Sequence, residues 1–100
     1  MVYTIVWSAR ALKDYEAIRR YWEKRDPDGV GRVMASIADG VKNLATFPFV
    51  GNLESRMGRR ESRETFSGSY RIYFDVTKTS EKVLIRRIWH TSRRDPNSTR

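Results

Sequence analysis

The stretch YRIYFDV, residues 70–76, places Ile72, Phe74 and Val76 on one side of an extended chain and Arg71, Tyr73 and Asp75 on the other. A strand with one apolar face belongs in a sheet whose apolar side is covered by another layer. The cover lies upstream. In SARALKDYEAIRRYWEKR, Ala11, Leu12, Tyr15, Ile18 and Trp22 recur at spacings of three and four, the mark of an amphipathic helix with a charged outer face. Ser8 is placed to cap its start.

The helix stops at RDPDG. Asp26 can cap a second helix, and Pro27 suits the first turn of that helix. There Val30, Val33, Met34, Ile37, Val41 and Leu44 again fall at helical spacing, ending near Thr46. Gly40 lies inside this helix and weakens it by up to ~1 kcal/mol relative to Ala, which fits a close contact at that point. The two segments predict a helical hairpin.

Around them, YTIV (3–6) predicts a first strand. FPFVGN and LESRMG, without strong periodicity, read as loop. RRESRETF (59–66), YRIYFDV (70–76) and VLIRRIWH (83–90) predict three further strands joined by the turns SGS and TKTSEK. The predicted order is β-α-α-β-β-β, an α+β domain with a mostly antiparallel sheet and the helical hairpin packed on one face. Residues 1–100 are the length of one domain, with a frayed tail over about 96–100. The uncovered sheet face then carries Arg71 and Tyr73.

The last strand has two partly apolar sides. Val83, Ile85 and Trp89 share one and Leu84 and Ile88 the other, a conflict that a bulge near Arg86 and Arg87 would resolve. It also leads into VLIRRIWHTSRR, with Arg86, Arg87, His90, Arg93 and Arg94 crowded together. His90 is the chain's only histidine. Two readings fit: a strand with a solvated basic face, or one wall of a site for phosphates.

Charge favours an anionic partner. The net charge is +8, and the second half holds twelve Lys and Arg against six Asp and Glu, whereas the first holds eight against six. Ten of those twelve are arginine, whose planar fork binds phosphate or carboxylate through two hydrogen bonds. With no cysteine, disulfide and thiolate chemistry are excluded, and one histidine with scattered carboxylates is a poor zinc ligand set. No metal or cofactor is implied. No apolar run approaches the ~20 residues that cross a bilayer, and the N-terminus lacks signal-peptide character, so a cytoplasmic setting is expected.

Four stretches taken together, YTIVWSARALKDYEAIRRYW, LATFPFVG, SYRIYFDV and VLIRRIWHTSRRD, resemble in order and spacing the RelE/ParE superfamily of bacterial toxins. These are the toxin halves of type II toxin–antitoxin modules, often described as plasmid stabilisation proteins. The resemblance spans most of residues 3–95 and implies the same β-α-α-β-β-β fold. It implies growth inhibition relieved by a cognate antitoxin protein, and two alternative targets. ParE-like members poison DNA gyrase; RelE- and YoeB-like members cut mRNA on the ribosome without a metal.

Metal-free RNA cleavage needs a proton shuttle, for which histidine is suited, and a permanent cation to stabilise the phosphorane, for which arginine is suited. The resemblance implies His90, Arg71 and Arg63 as that catalytic set if the chain is a nuclease. Arg86, Arg87, Arg93, Arg94 and Tyr73 are the candidates for contact with target or phosphate. Each has a plain structural alternative. His90 could close a strand, Arg71 could pair with Asp75 or Glu64, and Arg86 and Arg87 could guard an edge. Trp7, Trp22 and Trp89 read as core more than as base-stacking groups. A third possibility is a basic nucleic-acid-binding domain without an antitoxin.

Overall fold

The computed structural model describes residues 2–92. Strand β1 (Thr4–Trp7) leads into α1 (Ala9–Arg25), α2 (Val30–Lys42) and a 3-10 turn (Asn43–Ala45). Four strands come next: β2 (Asn52–Met57), β3 (Arg60–Ser67), β4 (Tyr70–Thr77) and β5 (Lys82–His90). The sheet order is β1-β5-β4-β3-β2, with β1 parallel to β5 and every other pair antiparallel. This is the α+β architecture expected, with one strand added at the edge. Residues 52–57 form β2 although all six are exposed, so no buried face marks them in the sequence.

Ser8 caps α1 as read, but α2 starts three residues later than expected: its N-cap is Gly29, without a side-chain cap, and Pro27 lies in the turn before it. Ser8 Oγ accepts the Ala11 N–H (3.0 Å) and also donates to the Arg86 carbonyl (3.1 Å), tying the start of α1 to β5. The Asp26 carboxylate accepts the Gly29 N–H (3.1 Å), holding the turn into α2, which begins at Val30. Gly40 marks a close approach: a Cβ there would lie 2.8 Å from Ser67 Cβ, so α2 presses on the end of β3. Ser67 Oγ donates to the Ser36 carbonyl (2.8 Å) at the same crossing.

The core fills the space between hairpin and sheet. Ile37, Val41 and Leu44 meet Ile72, Phe74 and Val76 of β4 and Val83, Ile85 and Ile88 of β5, all essentially inaccessible. Each such side chain contributes roughly 1.5–3 kcal/mol of burial. The β5 conflict resolves by a bulge. Tyr73 pairs with Arg87 but Phe74 pairs with Ile85, so Arg86 is the extra residue. The inserted residue turns Val83, Ile85 and Ile88 all to the helices.

Where β1 ends opposite Ile85, α1 takes over the edge of β5. Asp14 accepts the Ile88 N–H (3.0 Å), standing in for the missing strand neighbour.

Candidate functional site

Register decides which candidate residues share a face. Arg71, Tyr73 and Asp75 of β4 lie opposite Phe66, Glu64 and Ser62 of β3 on the face away from the helices. Tyr70, paired with His90, has the parity of Ile72 and faces the helices. Arg63, paired with Phe74, also has helix-side parity. The sheet therefore separates Arg71 from both His90 and Arg63.

Arg63 is engaged in the fold. It donates to the carbonyls of Phe49 (2.8 Å), Val50 (3.3 Å) and Gly51 (3.4 Å) and pairs with Glu61 (2.7 Å). It pins the loop that returns the chain from the helices to β2. Glu61 is buried, and burial alone would push its carboxyl up. Hydrogen bonds and charge from Arg56 and Arg63 outweigh that and hold it below its ordinary value.

On the uncovered face, Arg71 lies 4.0 Å from Glu64, 3.4 Å from the Tyr73 hydroxyl, and over the Phe66 ring. Tyr73, expected at the surface, is instead fully buried. It occupies the central strand with Glu64 and Arg87 opposite it on either side, and such long neighbours cover the ring. Arg86 reaches Asp75 (3.6 Å), which also accepts from Ser62 (2.7 Å). Arg87 forms a two-pronged pair with Asp14 (2.8 and 3.1 Å) and stacks over Trp89. Arg93 and Arg94 lie outside the described residues.

His90 stands edge-on to Tyr70 (5.1 Å, 88°). Its Nδ1 accepts the Ser92 N–H (3.0 Å) and lies 2.7 Å from Ser92 Oγ. It belongs to a cleft of about 290 Å³ between α1 and the end of β5, with Asp14, Tyr21, Trp22, Tyr70 and Trp89 among its walls. Trp22 Nε1 donates to the Tyr70 hydroxyl (2.9 Å) across it. The α1 walls were not legible as a site, because their spacing is that of an ordinary core stripe. Among the described residues no group of His, Cys, Asp and Glu could hold a metal, and no helix is long and apolar enough to cross a membrane.

A helical hairpin on one face of such a sheet, with a parallel first strand, is the fold of the RelE/ParE toxins. The toxin–antitoxin complex RelBE2 from Mycobacterium tuberculosis has a chain that superposes at TM-score 0.61 and 22% identity, covering 90% of this chain and 99% of that one. The chromosomal ParDE system from P. aeruginosa has one at TM-score 0.71 and 17% identity, covering 91% and 98%. The isolated E. coli RelE toxin superposes at 0.58 and 17%, covering 91% and 86%. At these identities the likeness is one of fold.

Sequence narrows the class. The family described as the ParE toxin of the type II toxin–antitoxin system, parDE, matches residues 5–95, and the chain belongs to it. A Sinorhizobium fredii protein named "Putative toxin Y4kP" is 34% identical over 92 residues, 92% of each chain. The protein is a type II toxin of the RelE/ParE superfamily.

Proposed function

We propose that this toxin arrests growth by a ParE-like interaction with DNA gyrase, without chemistry of its own, and that a cognate antitoxin protein neutralises it. The observation that carries this reading is the division of the residues a nuclease would need. His90 faces the helices, Arg71 the opposite side of the sheet, and Arg63 is taken up by the 49–51 loop. Phosphoryl transfer requires the proton shuttle and the stabilising cation to converge on one phosphate. Binding to a large target requires only a surface. Membership of the ParE family supports the same reading, and toxin–antitoxin complexes among the structural neighbours support the antitoxin.

The test uses purified toxin in a DNA supercoiling reaction with gyrase and, in parallel, ribosomes translating a labelled mRNA. Loss of supercoiling with intact mRNA is expected. Cleaved mRNA with unimpeded supercoiling would instead establish the RelE/YoeB-like endoribonuclease through Arg71 and His90.

A further inference from the structure

We infer that the end of the sheet formed by the β2–β3 and β4–β5 turns grips the phosphate backbone of duplex DNA through Arg59, Arg60, Lys78 and Lys82. The register brings these residues together. Met57, Arg60, Thr77 and Lys82 form one row across β2, β3, β4 and β5. Arg59 stands in the first turn and Lys78 in the second, and all four cations are exposed. The row lies at the opposite end of the sheet from His90, which pairs with Tyr70.

Ion pairing decides which cations have charge to spare. Arg71, Arg86 and Arg87 face Glu64, Asp75 and Asp14, while Arg56 and Arg63 share Glu61. Among the described residues, Arg59, Arg60, Lys78 and Lys82 enter no ion pair. Lys78 Nζ sits 5.3 Å above the Phe49 ring, a contact that places its charge without neutralising it. Glu54 and Glu81 are further acids near this end, too few to cancel the four cations. The unmatched charge of the sheet therefore gathers at these turns and not on the arginines of its uncovered face.

Chemistry selects the partner. The row offers one exposed large apolar side chain, Met57, whereas a protein interface is built around a packed apolar or aromatic centre. A single strand of nucleic acid needs rings on which its bases stack. Neither turn carries one, and the Phe49 ring beside them is already faced by Lys78 and Arg63. Arg60 and Lys82 stand two strands apart, roughly 10 Å, so their long side chains reach phosphates on both sides of a groove about 12 Å wide. The choice of DNA over RNA rests on the gyrase reading, since the substrate of gyrase is duplex DNA and the toxin would hold enzyme and DNA together. The test contains no gyrase, so the two fail separately.

The full-length toxin is titrated into a short dye-labelled DNA duplex, and anisotropy is read from about 50 mM salt upward. Binding is expected to weaken with salt by about 0.9 in the log–log slope for each phosphate neutralised. The triple variant Arg59→Gln, Arg60→Gln, Lys82→Gln should weaken binding about tenfold or more at low salt and lower the slope by about 2–3. Each single change should lower it by about one, so the result does not depend on the triple variant alone. Melting temperatures should match the parent, because these side chains are exposed. Lys13→Gln, Arg20→Gln, Lys24→Gln on α1 removes the same charge and should weaken binding about threefold or less. Equal loss in that α1 variant would overturn the inference, because net charge alone would then explain binding. So would a duplex left unbound at about 50 mM salt, or tighter binding to single-stranded DNA or to double-stranded RNA of the same length. Duplex binding that follows the turns, beside supercoiling that the toxin leaves unimpeded, would remove the gyrase reading and keep the DNA contact.

Discussion

Asp14 and Arg87 are 73 residues apart in sequence and meet in a two-pronged ion pair at the point where α1 replaces β1 along the edge of β5. The same carboxylate accepts the Ile88 N–H. One side chain thus closes a sheet edge, orients an arginine and fixes the helix against the last strand. Both partners are mostly buried, with side-chain exposures of 12% and 16%, so removing one leaves the other's polar groups without partners. Asp14→Ala is expected to cost about 3 kcal/mol in urea denaturation. A cycle with Arg87→Met should show coupling of about 1–3 kcal/mol. Additive effects would mean that the pair is incidental to the docking of α1.

Arg63 and Glu61 make a second such point, on the helix-side face. Arg63→Ala leaves three loop carbonyls without their donor and is expected to destabilise by about 2–4 kcal/mol. Lys, with one ammonium in place of a fork, should recover less than half of that. If Arg63 instead served the target and not the fold, the Ala variant would melt like the parent.

The pH dependence originates in Glu61. Its carboxyl titrates below its ordinary 4.5 in the folded protein, because the hydrogen bonds and charge of Arg56 and Arg63 outweigh burial. A group whose folded value is depressed binds fewer protons in the native state than in the unfolded one. Its stabilising contribution is therefore complete above that ordinary value and disappears as pH falls through the folded value. Stability measured from pH 7 downward should drop in the acid range below about 4.5, and Glu61→Gln should flatten that drop while lowering stability at pH 7. An unchanged acid limb in Glu61→Gln would assign the loss to other carboxylates.

Three glycines should separate by environment. Gly51 has φ +80°, and a Cβ there would overlap the Glu64 carbonyl oxygen, so Gly51→Ala is expected to cost about 3 kcal/mol or more. Gly58 has φ +61° but open space around it, leaving only the left-handed backbone term of about 1 kcal/mol. Gly40 is helical, and its substitution pushes on Ser67. Thermal denaturation should show Gly40→Ala partly rescued by Ser67→Gly, the change that removes the opposing Cβ.

Both helices and β4 were legible because apolar residues recur along the sequence at about 3.6 or at two, and β3 and β5 because turn signals bound them. β2 was not, since its six exposed residues carry no such signal and it forms by pairing with β3 alone. Candidate residue types were legible too: Arg71 and His90 stand at the end of the sheet where the sequence put them. The face of Arg71 was legible from the alternation of residues 70–76, whereas that of His90 was not, because it depends on the single extra residue Arg86 in β5. Asp14 was unreadable for a different reason. Nothing local distinguishes it from the other acids of α1, and its role exists only through β5.

His90 is where the two mechanisms part most cleanly. Its ring contacts Tyr70 and its Nδ1 accepts from Ser92, contacts that position the strand end and the chain leaving it. A proton shuttle cannot be replaced by an amide, whereas a strand-end hydrogen-bond acceptor can. His90→Gln should therefore keep growth arrest on induction without antitoxin, with a stability loss of about 1 kcal/mol or less. Arg71→Ala should likewise leave mRNA intact and act only through binding. A His90→Gln protein that folds like the parent yet no longer arrests growth would contradict an interaction toxin and return the chain to the nucleases.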